Sequence, residues 1–236
     1  HLQGLNGSGR SPAAWTPQRF SGLDAMPTMG WDCVTVPGAV DAWVKLSDRY
    51  GKLPFAQLFE PAVRYATEGF IVTPIIATSW ASAVETYREF PEFHRTFLPS
   101  SHAPTAGDIF RCPAQAETLR EIAETRGESF YRGRLAKLIA ANSQQNGGAM
   151  TVDDLSTHES LWVDCISQDF RDLCVHEIPP NGQGLAALIT LGVLDRLDIN
   201  QYPADSADSV HLQIEAMKVG FAEAHRHIAD PASMET

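Results

Sequence analysis

The feature that most constrains this chain is an apolar stripe near its end. Val210, Ile214, Met217, Phe221, Ala224 and Ile228 step by 4, 3, 4, 3, 4, the signature of one helix face running from Ser206 to Ile228. Such a face needs a surface to bury it. The domain's own core is the expected one; a partner laid along it as in a coiled coil is the alternative.

Earlier segments repeat the helical signal in shorter form. Ala39 to Tyr50 carries Val40, Trp43, Val44 and Leu46 and meets Gly51, a natural C-terminal stop. Phe55 to Glu68 has an i, i+3, i+4 stripe, which Pro61 should kink or divide, with Gly69 after its end. Helices are also expected over Pro74 to Tyr87, Ala114 to Thr125 and Leu135 to Asn146, the last closing on Gly147-Gly148. Thr151-Val152-Asp153-Asp154 has the form of a capped helix start. Phe90 to Pro113, with four prolines, reads mostly as loop, and Gly4 to Gly9 as a turn or loop. Val34-Thr35-Val36 is a short β-branched run ending at Pro37-Gly38.

Trp162 to Ile178 changes character and reads as two strands joined at Asp169 to Asp172. His176-Glu177-Ile178-Pro179-Pro180-Asn181-Gly182-Gln183-Gly184 then leads from a strand, through a double-proline stop and a glycine turn, into a helix ending near Leu197. Helices, a hairpin and more helices indicate a mixed α and β layered domain. The strands are too few for a full sheet, so sheet partners are expected outside these residues.

Composition excludes some functions. Eighteen Lys and Arg against 29 Asp and Glu give a formal charge of -11, and no basic stripe offsets it, so nucleic acid is a poor partner. No run of eighteen apolar residues suggests a membrane span. The N-terminus has neither Met nor a signal-peptide pattern, both ends read like cuts through a longer protein, and the expected location is cytoplasmic. Cys33, Cys112, Cys165 and Cys174 lack C-x-x-C spacing, so buried or half-buried free thiols are expected, with a Cys165–Cys174 bridge as the alternative.

Candidate chemistry is sparse. His225-Arg226-His227 would offer a metal pair on a strand, but on a helix i and i+2 point about 200° apart, which favours two solvated histidines. His158-Glu159 invites an acid–base reading beside a structural one. Gly182 and Gly184 allow either an anion seat at a helix N-terminus or tight packing of strand on helix. Gly7-Ser8-Gly9-Arg10-Ser11-Pro12 is either a surface turn or a loop that lets backbone approach a ligand while Arg10 grips a carboxylate. No nucleophile elbow, H-E-x-x-H, Walker A or dinucleotide fingerprint occurs.

Three stretches together resemble the gamma-glutamyltransferase family of N-terminal-nucleophile hydrolases. The first is Val36-Pro37-Gly38-Ala39-Val40-Asp41-Ala42-Trp43 with Arg49-Tyr50-Gly51-Lys52-Leu53-Pro54 and Leu58-Phe59-Glu60-Pro61-Ala62. The second is Phe130-Tyr131-Arg132-Gly133-Arg134-Leu135-Ala136 with Asn146-Gly147-Gly148-Ala149-Met150-Thr151 and Asp154-Leu155. The third is the Pro-Pro-Asn-Gly-Gln-Gly turn. The likeness covers nearly the whole chain and implies an α+β fold, the αββα sandwich of Ntn hydrolases. Residues 1–236 would be the helix-rich large-subunit portion of one such domain, completed by a small subunit from the same precursor. The precursor would cut itself before a Thr downstream of Thr236, and that Thr would be the nucleophile, with its own α-amine as base. No catalytic residue is then expected in this chain, and no metal or cofactor. A dimer of heterodimers is one assembly the resemblance allows, and the Ser206–Ile228 stripe would be partly an inter-subunit surface.

Two departures bear on substrate. The transferases carry a carboxylate-binding Arg four residues before the loop proline; here that position is Ser8, and Arg10 stands two before Pro12. They also tend to have Ser-Ser-Gly-Gly where this chain has Asn-Gly-Gln-Gly. Both variants look more like the acylase and oxamate amidohydrolase branch. Ser8 and Arg10 are accordingly the candidate substrate-binding residues, and a small carboxylate-bearing amide such as oxamate the expected substrate. A gamma-glutamyl transferase or hydrolase is the nearest alternative, and a non-enzymatic binding relative the alternative of another class.

Overall fold

The computed structural model describes residues 2–99 and 101–234. In chain order the first half contains β1 (Gln3–Asn6), α1 (Ala39–Tyr50), α2 (Glu60–Glu68), β2 (Phe70–Ile71), α3 (Pro74–Thr86), α4 (Pro91–Phe97) and β3 (Ile109–Phe110). There follow α5 (Pro113–Thr125), α6 (Glu128–Tyr131), α7 (Arg134–Gln145), α8 (Val152–Ser156), β4 (Leu161–Asp164), β5 (Ile166–Phe170), β6 (Leu173–Glu177), α9 (Gly184–Leu194) and α10 (Ala207–His227). The architecture is α+β, and among the described residues the strands form three two-stranded antiparallel pairs, β1–β4, β2–β3 and β5–β6. The chain divides into two compact units, residues 11–36 with 43–158, and residues 1–10 with 37–42 and 159–236.

The first of these units is helical and its boundaries follow local rules. Pro61 divides the predicted helix: a 3-10 turn over Phe55–Phe59 gives way to α2, which has the proline in its first turn, where a missing N–H costs nothing. Gly69 ends α2 at φ 97°, a conformation that favours glycine. The core here is Val36, Ala136, Met150 and Leu155, with Trp31, Ile139 and Val152 packed on it. Val36 is thus a core residue from a loop rather than part of a strand. The Phe90–Pro113 segment is more ordered than its prolines suggest. Pro91 opens α4, whose Phe93 and Phe97 lie four apart and meet each other (ring centroids 5.2 Å), with Phe93 also against Tyr87 (4.8 Å). Ile109–Phe110 pairs with β2, and Phe110 packs edge-on to Trp80 at 4.6 Å.

The second unit contains the hairpin and the two long C-terminal helices. β5 and β6 pair from Ile166↔Glu177 to Phe170↔Leu173, and the turn between them holds Arg171 at φ 56°. β1 corrects the reading of Gly4 to Gly9 as loop throughout: Gln3–Asn6 pairs with Asp164–Leu161. Gly4 is in this strand because a Cβ there would stand 2.5 Å from Ile178 Cγ2, so the glycine marks close packing rather than a turn.

α10 corrects the expectation of core packing. Its buried face is Ser209, Ala216, Gly220 and Ala224; of the apolar stripe only Ala224 belongs to it, while Val210, Met217 and Phe221 each lie one residue, about 100°, around the helix from a buried position. Val210, Ile214, Met217 and Phe221 are 44, 52, 50 and 41% exposed. The reason is the neighbour. α9 approaches so closely that a Cβ on Gly220 would collide with Thr190 Oγ1 and come within 2.6 Å of Ala186 O, so only small residues fit that face. α9 itself is apolar on almost every side and buries Ala186, Leu188 and Gly192.

Candidate functional site

The structure brings two of the singled-out loops together, the Gly-Ser-Gly-Arg loop that leaves β1 and the Pro-Pro-Asn-Gly-Gln-Gly turn that enters α9. Their link is one side-chain amide. Asn6 Oδ1 accepts the Ser8 N–H at 3.0 Å, and Asn6 Nδ2 donates to Asn181 Oδ1 at 2.9 Å. The loop is also backed from behind. The position a Cβ would take on Gly7 lies 3.1 Å from Ala42 Cβ and 3.5 Å from both Gly38 O and Ser160 Oγ. Ser160 in turn donates its N–H to Asp41 Oδ2 at 2.7 Å. The Pro-Gly-Ala-Val-Asp-Ala motif therefore forms the support under the loop.

Ser8 and Arg10 both stand at the exposed side of this loop. No ion pair holds the Arg10 guanidinium among the described residues, so its fork of donors is open to an external carboxylate. In the turn, Gly182 has open space where a Cβ would stand, and Gly184 does not. A Cβ on Gly184 would lie 2.6 Å from Glu177 Oε2 and 2.8 Å from Glu177 Cβ. The carboxylate at the start of α9 is thus the chain's own, and Gly184 serves the packing of strand against helix rather than an anion seat.

The second motif group is structural. Thr151 and Asp154 form a full capping box on α8. Asp154 Oδ2 accepts from Thr151 N (2.8 Å) and Oγ1 (2.6 Å), while its Oδ1 accepts the Ala13 N–H at 2.8 Å, which ties down the segment following Pro12. Desolvation pushes the Asp154 carboxyl upward, but the hydrogen bonds from Thr151 and Ala13 outweigh it and hold the group below its ordinary value. Gly148 sits where a Cβ would strike Trp31 Cβ at 2.5 Å, and Gly147 has φ 75°. Tyr131 is buried and stacks on the His158 ring at 5.4 Å and 19°, which gives His158 a packing role.

The remaining candidates do not converge. His225 lies by the Phe221 ring (6.2 Å), while His227 Nε2 faces Glu223 at 3.3 Å, and no group of His, Cys, Asp and Glu suited to a metal occurs among the described residues. All four cysteines are free, but Cys33 and Cys174 are exposed rather than buried, and no Cys165–Cys174 bridge forms. Cys174 lies opposite Asp169 in the hairpin, and that carboxylate raises its thiol pKa. Among the described residues no helix is long and apolar enough to cross a membrane. Sequence reading missed Asn6 and Asn181 as individuals; each lies in a quoted loop, but nothing local signals a pair 175 residues apart.

A loop that offers Ser8 and Arg10 without a nucleophile–base pair has groups to hold an anion and none to break a bond by itself. Known proteins resemble the chain along its whole length. The family model for gamma-glutamyltranspeptidase matches residues 1–236. A glutathione hydrolase-like YwrD proenzyme from Bacillus subtilis is 36% identical over 228 residues, 96% of this chain and 43% of that protein. An oxamate amidohydrolase proenzyme from Klebsiella pneumoniae is 35% identical, over 98% of this chain and 44% of that protein. The crystal structure of a cephalosporin acylase from Bacillus halodurans superposes with a TM-score of 0.92 at 41% identity, covering 100% of this chain and 45% of that one. The chain spans less than half the length of these relatives. By the match along its whole length, it belongs to the gamma-glutamyltranspeptidase family.

Proposed function

We propose that this chain is the large-subunit portion of an autoprocessed amide hydrolase acting on a small carboxylate-bearing amide such as oxamate. The observation that carries the reading is the supported loop presenting Ser8 and an Arg10 guanidinium that no carboxylate of the described chain neutralises. The kinship with an oxamate amidohydrolase proenzyme and a cephalosporin acylase supports the branch. The nucleophile belongs to a Thr beyond residue 236, freed when the precursor cuts itself, on a small subunit that completes the αββα sandwich. The exposed stripe of α10 supplies apolar surface for that subunit.

In this scheme Arg10 and Ser8 hold the substrate carboxylate while the Thr hydroxyl attacks the amide carbon. The hydroxyl proton passes to the Thr α-amine and then to the departing nitrogen, which leaves as ammonia or an amine. Water then attacks the acyl ester, restoring the hydroxyl and releasing the acid. Kinship with the glutathione hydrolase-like YwrD proenzyme favours gamma-glutamyl amides as the second reading.

The test begins with intact mass and N-terminal sequencing of protein made from the full gene. Two fragments, the smaller beginning with Thr, are expected; a single uncut chain refutes the proposal. Kinetics with oxamate and gamma-glutamyl 4-nitroanilide then separate the two readings. Arg10→Ala is expected to raise KM for the preferred substrate about tenfold or more, the loss of a charge-assisted pair. An unchanged KM removes Arg10 from the site.

A further inference from the structure

The amide of Asn6 has a fixed polarity. Its contact with Ser8 is a backbone N–H, which can only donate, so the atom facing it is Oδ1. The other end is therefore Nδ2, and the Asn181 atom it meets must be Oδ1. Asn181 is thereby oriented as well. Its carbonyl is taken by Asn6, and its amino group, with two N–H donors, is left at the exposed edge of the turn. Among the described residues that amino group donates to nothing.

We infer that Asn181 is a further substrate-binding residue, donating through Nδ2 to the carboxylate or acyl oxygen of the substrate, and that Asn6 is the positioning residue that keeps it turned that way. The inference rests on the amide-hydrolase reading of the proposed function, with this loop and turn as one wall of its substrate site. Several observations place the donor on that wall. The same Asn6 amide holds Ser8 N and Asn181 Oδ1, so the turn and the loop meet at adjoining atoms. Asn181 occupies the stretch that departs from the Ser-Ser-Gly-Gly of the transferases. An exposed hydrogen bond between two amides contributes little to folding, so stability alone gives the pair little reason to exist. A donor aimed by a second side chain suits a small anion, which offers few other handles.

The polarity argument specifies the variants. Asn181→Asp can still accept from Asn6 Nδ2, so the link survives while the outward donor becomes an acceptor and carries negative charge. Asn6→Asp still accepts the Ser8 N–H, but its second oxygen repels Asn181 Oδ1. Asn181 then turns its amino group inward and presents its carbonyl to the substrate. Asn181→Ala simply removes the donor.

The experiment is steady-state kinetics of the processed full-length enzyme, with melting temperatures alongside. The probes are oxamate, gamma-glutamyl 4-nitroanilide and glutaryl 4-nitroanilide, read on whichever the wild type turns over best. KM is expected to rise about tenfold in Asn181→Ala and Asn6→Asp and about a hundredfold in Asn181→Asp, with kcat within threefold and melting unchanged. A merely structural role would move melting and kcat and would not set Asp below Ala. If Asn181→Asp keeps a wild-type KM while Arg10→Ala raises it, the inference is overturned and the carboxylate site stands. If Asn181→Asp raises KM and Arg10→Ala does not, the inference stands and the role of Arg10 falls. If the wild type turns over no probe, the hydrolase reading falls and takes the inference with it.

Discussion

Gly220→Ala tests the packing that turns the apolar face of α10 outward. In an open helix interior this change stabilises by roughly 0.5–1 kcal/mol, because glycine loses more backbone freedom on folding. At Gly220 the added methyl would collide with Thr190 Oγ1 and lie 2.6 Å from Ala186 O. Thr190 could rotate, but its hydroxyl donates to Ala186 O at 2.8 Å, and losing that bond costs about 1 kcal/mol. The carbonyl belongs to the backbone of α9 and moves only with the helix, an overpacking that costs about 1–3 kcal/mol. The penalty exceeds the gain, so a net loss of about 1–3 kcal/mol is expected. For a domain of this size that lowers the melting temperature by roughly 2–10 °C. Thermal unfolding of the full-length protein, followed by circular dichroism, reads the shift. A variant that melts at or above the wild-type temperature would refute the close α9–α10 contact and with it the outward placement of the stripe.

Two further predictions follow from the same structure. Asp154→Asn should cost about 1–3 kcal/mol, because an amide nitrogen must then face one of the N–H groups of Ala13 or Thr151. The Asp154 pKa is lowered in the folded state, so its contribution is complete above the unfolded carboxylate value and disappears as pH falls through the folded one; urea unfolding from neutral to acid pH should show a shallower acid loss in the variant than in wild type. Ile214→Glu with Met217→Glu puts two charges on the stripe and should sharply lower the yield of cleaved, soluble enzyme from the full gene, while normal processing and yield would show that nothing covers that face.

The Gly7–Arg10 loop shows how the family motifs divide their labour. Pro37 to Ala42 and Ser160 support the loop from below, through Gly7 and the Asp41 carboxylate. Thr151, Asp154 and Ala13 secure the chain just after it. Tyr131 of the second motif packs on the ring of His158, just past that motif.

The sequence by itself determined most of the helices, α4 inside the proline-rich segment being an exception. α1 begins and ends where its apolar spacing and Gly51 placed it, Pro61 separated the 3-10 turn from α2, and Thr151 with Asp154 capped α8. Their hydrogen bonds and caps join residues at most a few positions apart, so the needed information is local. The family was legible for a similar reason, since its motifs are short runs in a set order. Tertiary structure alone decided what depends on distant partners. β1 exists because Gln3–Asn6 finds Asp164–Leu161, and its glycine is explained by Ile178. The large residues of the α10 stripe face outward because α9 demands small residues on the neighbouring face, a demand no periodicity in α10 can report. Asn6 and Asn181 stand 175 positions apart and their amides meet only in the folded chain, and only the donor of a third residue, Ser8, fixes which way both must turn.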